Sequence, residues 1–180
     1  KIDELFSKEA LVKKPEILKR KEWELPLDFF PSLKQRCKER KIELGCTPFY
    51  LKAVQEIYDY VDYYKIASYE LLWKELFIEC ANTGKPLVFS TGMSIESEIK
   101  SALDSISGSN VKEVMMLHCN SSYPTPINDA NLSVIKNLRN KFQNYLPNKS
   151  ITFGYSDHSV LDSVIINSIL KYDSKMIEFH

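Results

Sequence analysis

Six short strings in this chain of 180 residues gather groups able to bind an anion, hold a metal or move a proton. They are Cys46-Thr47-Pro48-Phe49, Lys65-Ile66-Ala67-Ser68-Tyr69-Glu70, Ser90-Thr91-Gly92-Met93, Cys119-Asn120-Ser121-Ser122-Tyr123-Pro124, Ser156-Asp157-His158 and Glu178-Phe179-His180. Hydroxyls occur in five of the six, beside one lysine and a turn-forming glycine. That mixture suits a phosphate or carboxylate, which wants several N–H and O–H donors plus a cation. His158 and His180 suit a divalent metal, provided that their imidazoles converge. Glu70 and Glu178 would then serve as acid/base or orienting groups. Each residue alone also has a plainer reading. Serine, threonine and glycine are ordinary turn residues, a strand lysine usually turns outward, and an isolated histidine such as His118 usually packs. Tyr63, Tyr64, Tyr69 and Met93 read as packing groups.

What lifts the strings above that reading is where they fall. Each meets the end of a β-rich run: Ile42–Cys46, Tyr63–Ala67, Pro86–Ser90, Val114–Cys119, Ile151–Tyr155 and Met176–Phe179. Amphipathic segments lie before or between these runs, at Asp28–Arg40, Leu51–Tyr60, Leu71–Ala81, Ile95–Ile106, Asp129–Phe142 and Asp162–Leu170. Apolar residues recur at steps of three and four in Leu132-Ile135-Leu138-Phe142 and Ile95-Ile99-Leu103-Ile106, as one buried helix face requires. Strand then helix, repeated, predicts a parallel sheet with helical crossovers. In such folds, open or closed, ligands bind at the carboxyl ends of the strands.

Local signals refine the boundaries. Ser94 is placed to cap a helix, with Glu96 and Glu98 near its positive end, and Thr83-Gly84-Lys85-Pro86 is placed to stop the preceding one. Lys13–Pro26 is charged, carries prolines and has no clear period, so it is expected to be a long loop. With 44% hydrophobic residues the chain has material for one sizeable core, and one domain over residues 1–180 is expected. Lys plus Arg equals Asp plus Glu at 24 each, so no net field draws the chain to nucleic acid or an anionic membrane. Cysteines 37, 46, 80 and 119 form no Cys-x-x-Cys pair and read as reduced thiols of a cytoplasmic protein.

Taken together and in order, the strings Thr47-Pro48-Phe49, Lys65 to Glu70, Thr83-Gly84-Lys85-Pro86, Ser90 to Met93, Tyr123-Pro124-Thr125-Pro126, Gly154-Tyr155-Ser156-Asp157-His158 and Ile177-Glu178-Phe179-His180 resemble the sialic acid synthases. That family includes N-acetylneuraminate synthase and its legionaminic, pseudaminic and spore-coat relatives. The resemblance runs from about Ile42 to the last residue. It implies a TIM barrel, an α/β fold of which this chain would hold about six of eight parallel strand-helix units. It implies condensation of phosphoenolpyruvate with an N-acetylated hexosamine to a nine-carbon 2-keto sugar acid, releasing phosphate. Carried over residue by residue, it assigns Thr47, Lys65, Ser68, Ser90 and Ser156 to phosphoenolpyruvate and Glu70 and Tyr123 to the sugar, with Ser121 a further substrate contact. Glu70, with Lys65, would be catalytic. His158 and His180 would hold a divalent metal, manganese or magnesium. Gly154 would permit a turn and Asp157 would orient its neighbours.

Departures from the family pattern carry expectations of their own. Ser121 stands where some members have asparagine, and Leu161 where a glycine commonly follows. The chain is expected to lack the first two barrel strands, the last barrel segments and a C-terminal antifreeze-like domain, and alone to show weak or no activity. A homodimer is expected for the full-length protein. A non-catalytic sugar- or phosphate-binding fragment, or an unrelated doubly wound protein with its histidines apart, are the other readings of the same residues.

Overall fold

The computed structural model describes residues 6–179, apart from the side chains of Pro15 and Arg20. Six strands, β1 (Gly45–Cys46), β2 (Tyr63–Ile66), β3 (Leu87–Ser90), β4 (Glu113–Cys119), β5 (Ser150–Asp157) and β6 (Ile177–Phe179), form one sheet in that spatial order. Every neighbouring pair is parallel. The returns are made by helices α3 (Leu51–Glu56), α4 (Lys74–Asn82), α5 (Glu96–Ser105), α6 (Ser133–Phe142) and α7 (Asp162–Leu170), while α1 (Lys8–Lys13) and α2 (Phe30–Arg40) precede the sheet.

The strands alternate between an apolar face turned to the helices and a mixed inner face that carries the polar groups. Tyr64, Ile66, Leu87, Phe89, Val114, Met116, Ile151 and Phe153 face the helices and make the main core. They meet the buried stripes Leu76-Phe77-Cys80-Ala81 of α4, Ile99-Ala102-Leu103 of α5 and Ile135-Leu138-Phe142 of α6. The opposite face is read from the register: Lys65 pairs Val88, Ser90 pairs Leu117, Cys119 pairs Ser156, and Ser156 pairs Glu178. These residues point into the concave side of the sheet.

The curl is demonstrated by one contact. Lys65 Nζ on β2 lies 3.2 Å from Glu178 Oε1 on β6. In a flat sheet four ladder steps would separate those strands by about 19 Å, so the sheet bends round until residues from its two ends meet. Six consecutive parallel strands curled in this way are a half-barrel of the TIM type.

Several sequence expectations change. β1 is shorter than Ile42–Cys46, because Asp62 takes the place of a ladder partner: its Oδ2 accepts from Leu44 N–H at 2.8 Å and its own N–H donates to Leu44 O at 2.7 Å. Lys13–Pro26 is not a long loop, since Pro15–Trp23 winds as a 3₁₀ helix, whose i to i+3 bonds need no amphipathic period. Ser94 does not cap α5. The Glu98 carboxylate instead reaches back to Ile95 N–H at 2.8 Å, the acidic half of a capping box. Thr83-Gly84 does end α4, with Gly84 at φ +79°.

Candidate active site

Every described residue that the resemblance assigns to phosphoenolpyruvate, the sugar or the metal lines one cavity of about 270 Å³ at the carboxyl ends of the strands, together with Glu178, Phe49 and Cys119. Thr47 follows β1 and half-buried Ser68 and Glu70 sit on a 3₁₀ turn after β2. Lys65, Ser90 and Ser156 rise from β2, β3 and β5. Ser121 and Tyr123 lie on the loop after β4, and His158 directly follows β5. His180, the expected companion of His158, lies outside the described residues.

The centre of the cavity is a charged cluster. Lys65 Nζ donates to Ser90 Oγ at 2.8 Å and pairs with Glu178. Glu178 Oε2 accepts from Ser156 Oγ at 2.6 Å and from Ser90 Oγ at 3.4 Å. One ammonium and two hydroxyls are therefore held on rigid strands beside an opening, all three directed at the Glu178 carboxylate, whose place an incoming anion would have to take. Strand-end reading singled out Glu178 without giving it a partner; its place among the inward residues follows from its register with Ser156.

Beside the cluster, Ser68 Oγ accepts from Gly92 N–H at 3.1 Å. A Cβ on Gly92 would come within 2.3 Å of Ser121 Oγ and 2.8 Å of Ser68 Oγ, so any other residue here would displace these hydroxyls. Ser121 Oγ and Glu70 Oε2 are buried without a hydrogen-bond partner among the described residues. Burial pushes the Glu70 carboxyl above the ordinary carboxylate range, against smaller opposing pulls from a backbone N–H and Lys65.

His158 is 5% exposed. Its Nδ1 lies 2.7 Å from the carbonyl oxygen of Asn120. A carbonyl only accepts, so Nδ1 carries the proton and Nε2 the lone pair that a metal would take. The Tyr123 ring stacks on the imidazole at 3.8 Å between centroids. His158 thus fits a ligand's role, with a second-layer carbonyl in place. Among the described residues no group of three or more His, Cys, Asp or Glu side chains is arranged to hold a metal.

Other assignments are revised or filled in. Gly154 makes no turn: it lies inside β5, and a Cβ there would fall 2.2 Å from Met176 O and 2.8 Å from Leu117 Cδ2. Asp157 faces away from the cavity and holds Ser159, accepting from its N–H at 3.1 Å and its hydroxyl at 2.7 Å. Tyr64 packs as expected, but Tyr69 and Met93 are 67% and 62% exposed, and Tyr69 walls the cavity instead. His118 is a core residue: its Nε2 lies 2.9 Å from Ala130 O, and burial lowers its pKa. No helix among the described residues is long and apolar enough to cross a membrane.

Comparison with known proteins bears on this geometry. The chain is 38% identical over 141 residues to an uncharacterised protein of Methanocaldococcus jannaschii, an alignment covering 78% of this chain and 40% of that one. It is 32% identical to the pseudaminic acid synthase of Helicobacter pylori, over 67% of this chain and 34% of the relative. The crystal structure of N-acetylneuraminic acid (sialic acid) synthetase from Leptospira borgpetersenii, in complex with citrate, superposes with a TM-score of 0.83 at 28% identity, covering 99% of this chain and 59% of that one. The chain therefore spans about 40% or less of the length of these curated relatives. The model of the NeuB family matches residues 4–180, and with its curled parallel sheet and its relatedness to sugar-acid synthases this chain belongs to the NeuB family.

Proposed function

We propose that the site condenses phosphoenolpyruvate with an N-acetylated hexosamine, of the N-acetylmannosamine kind, to a nine-carbon 2-keto sugar acid. The observation that carries this reading is the buried Lys65, held by Ser90 and Glu178 in the same cavity as His158 and Glu70. Lys65, Ser90 and Ser156 would bind the carboxylate and phosphate of phosphoenolpyruvate, with Thr47 and Ser68 adding hydroxyl donors. Ser121 and Tyr123 would face the open-chain sugar. A divalent metal, manganese or magnesium, held by His158 and His180, would supply Lewis acidity toward the sugar aldehyde.

In the bond-forming step the methylene carbon of phosphoenolpyruvate attacks the aldehyde carbon, and the aldehyde oxygen takes up a proton to become a hydroxyl. Water then adds to the cationic carbon that bears the phosphate ester, losing a proton. The resulting tetrahedral centre expels phosphate and leaves the 2-keto group. Glu70, a carboxyl raised by burial at the cavity wall, would shuttle a proton or steady the developing positive charge. A cytoplasmic location accords with free thiols at Cys37, Cys46, Cys80 and Cys119.

Phosphate release from phosphoenolpyruvate, measured with a panel of N-acylated hexosamines with and without manganese, tests the reading. It is run on this chain and on a chain that also carries the segments by which the curated relatives are longer. Release in either supports a synthase, and silence in both supports a binding module that keeps the anion cradle without the chemistry. His158→Ala must abolish any manganese dependence that is found.

A further inference from the structure

The loop after β4 does more than carry Ser121 and Tyr123 into the cavity; it grips His158 at three points. Thr125 N–H donates to the His158 carbonyl at 2.8 Å. The Asn120 carbonyl holds Nδ1 at 2.7 Å, and the Tyr123 ring covers the imidazole face. The loop is in turn closed on itself. The Thr125 hydroxyl donates to Ser122 O at 2.9 Å, with Asn120 O at 3.3 Å. The Asn120 side chain accepts from Ser122 N–H at 3.0 Å and donates to Asp129 O at 3.1 Å. Thr125 is 3% exposed and lines no part of the cavity, so its polarity serves the loop and not a ligand.

An imidazole free in water exchanges its proton between two nitrogens and turns about two side-chain bonds. Fixing one tautomer and one rotamer needs an acceptor that is itself immobile. Asn120 O is such an acceptor only while its loop is closed. We propose that Thr125 is a positioning residue: its hydroxyl closes the 120–125 loop into a clip that sets the tautomer and orientation of His158. This rests on the reading of His158 as a metal ligand only for its consequence, which is that the clip also sets metal affinity. The same clip places Ser121 and Tyr123, so the acceptor side of the cavity and the metal side are tied to one short segment.

The test compares the parent chain with Thr125→Val, which removes the hydroxyl at nearly constant volume and keeps the N–H bond to His158, and with Thr125→Ser. Imidazole ¹⁵N shifts report the fraction of Nδ1–H tautomer. The ring-current displacement of the His158 ring protons reports Tyr123 stacking. Electron paramagnetic resonance titration with Mn²⁺ reports affinity, and far-ultraviolet circular dichroism checks that the fold is kept. Thr125→Val is expected to lower the Nδ1–H fraction, reduce the ring-current displacement and weaken Mn²⁺ binding about tenfold, and Thr125→Ser to restore all three. Unchanged tautomer and ring-current signals in Thr125→Val overturn the proposal, whatever the metal does. Shifted signals in chains that bind no Mn²⁺ uphold the clip and refute the metal role of His158. Should Thr125→Val fail to fold, Asn120→Ala, which cuts both side-chain tethers, must displace the same two signals, and their persistence overturns the proposal.

Discussion

Replacing Lys65 by methionine probes the curl of the sheet and the anion cradle at once. The ammonium and the Glu178 carboxylate stand 3.2 Å apart with their side chains 11% and 24% exposed. Methionine keeps much of the apolar stem that packs inside the sheet and deletes the cation. Removing one partner of a buried pair costs about 3–5 kcal/mol, because the other charge stays buried and unbalanced. Glu178 would still accept from Ser156 at 2.6 Å and Ser90 at 3.4 Å, which puts the expected loss at the lower end, about 3 kcal/mol. At about 2–4 °C per kcal/mol for a chain of this size, the melting temperature falls by about 6–12 °C. Adding Glu178→Gln removes the carboxylate that Lys65 paired with and should recover most of the loss, giving a coupling energy of about 1–3 kcal/mol across the double-mutant cycle. Urea unfolding of the four proteins, followed by circular dichroism, measures it. A loss below about 1 kcal/mol with no coupling is what a solvated surface pair gives. That result would mean that β2 and β6 do not meet, and both the half-barrel and the cradle would fall with it.

Other substitutions address single features. Gly154→Ala places a methyl 2.2 Å from Met176 O, which also accepts from Tyr155 N–H at 3.0 Å; thermal unfolding should show a cost of about 3 kcal/mol, and an unchanged midpoint would contradict the close approach of β5 and β6. The Glu70 carboxyl is raised in the folded chain, so the folded state binds its proton more tightly than the unfolded one, and stability falls as pH rises from the ordinary value of 4.5 through the raised one. Glu70→Gln should remove that part of the fall, so that the variant gains on the parent above this window and not below it; parallel pH profiles of unfolding would refute the burial argument. Ser121→Ala deletes a buried hydroxyl that has no partner among the described residues, so stability should hold or rise by up to about 1 kcal/mol, and, on the proposed condensation, the acceptor KM rises about two- to tenfold. Equal rises in the acceptor and phosphoenolpyruvate KM would take Ser121 away from the sugar side.

How far the site could be read from the chain depends on what each contact is made of. Lys65, Ser90, Ser156 and Glu178 stand at the ends of β-rich runs, and strand-helix alternation brings such ends to one rim whatever the loops do. Their types and approximate places were therefore legible. That Lys65 and Glu178 would touch was not, because the contact depends on how far four intervening ladder steps bend, and no residue pattern in the strands states that angle. Gly154 shows the same limit: a glycine near a strand end suggests a turn, whereas its neighbours across the register, Leu117 and the Met176 carbonyl, are what require it. Tyr69 and Met93 invite a packing assignment by composition, yet they sit on loops after strand ends, where apolar side chains can wall an opening instead of filling a core. His158 marks the boundary most sharply. Its identity and position are printed in the chain, but what aims it is the backbone carbonyl of Asn120 and the backbone N–H of Thr125. Every residue carries a carbonyl and nearly every one an N–H, so contacts of that kind leave no compositional trace, and the layer that positions a site is harder to read than the layer that touches its ligands.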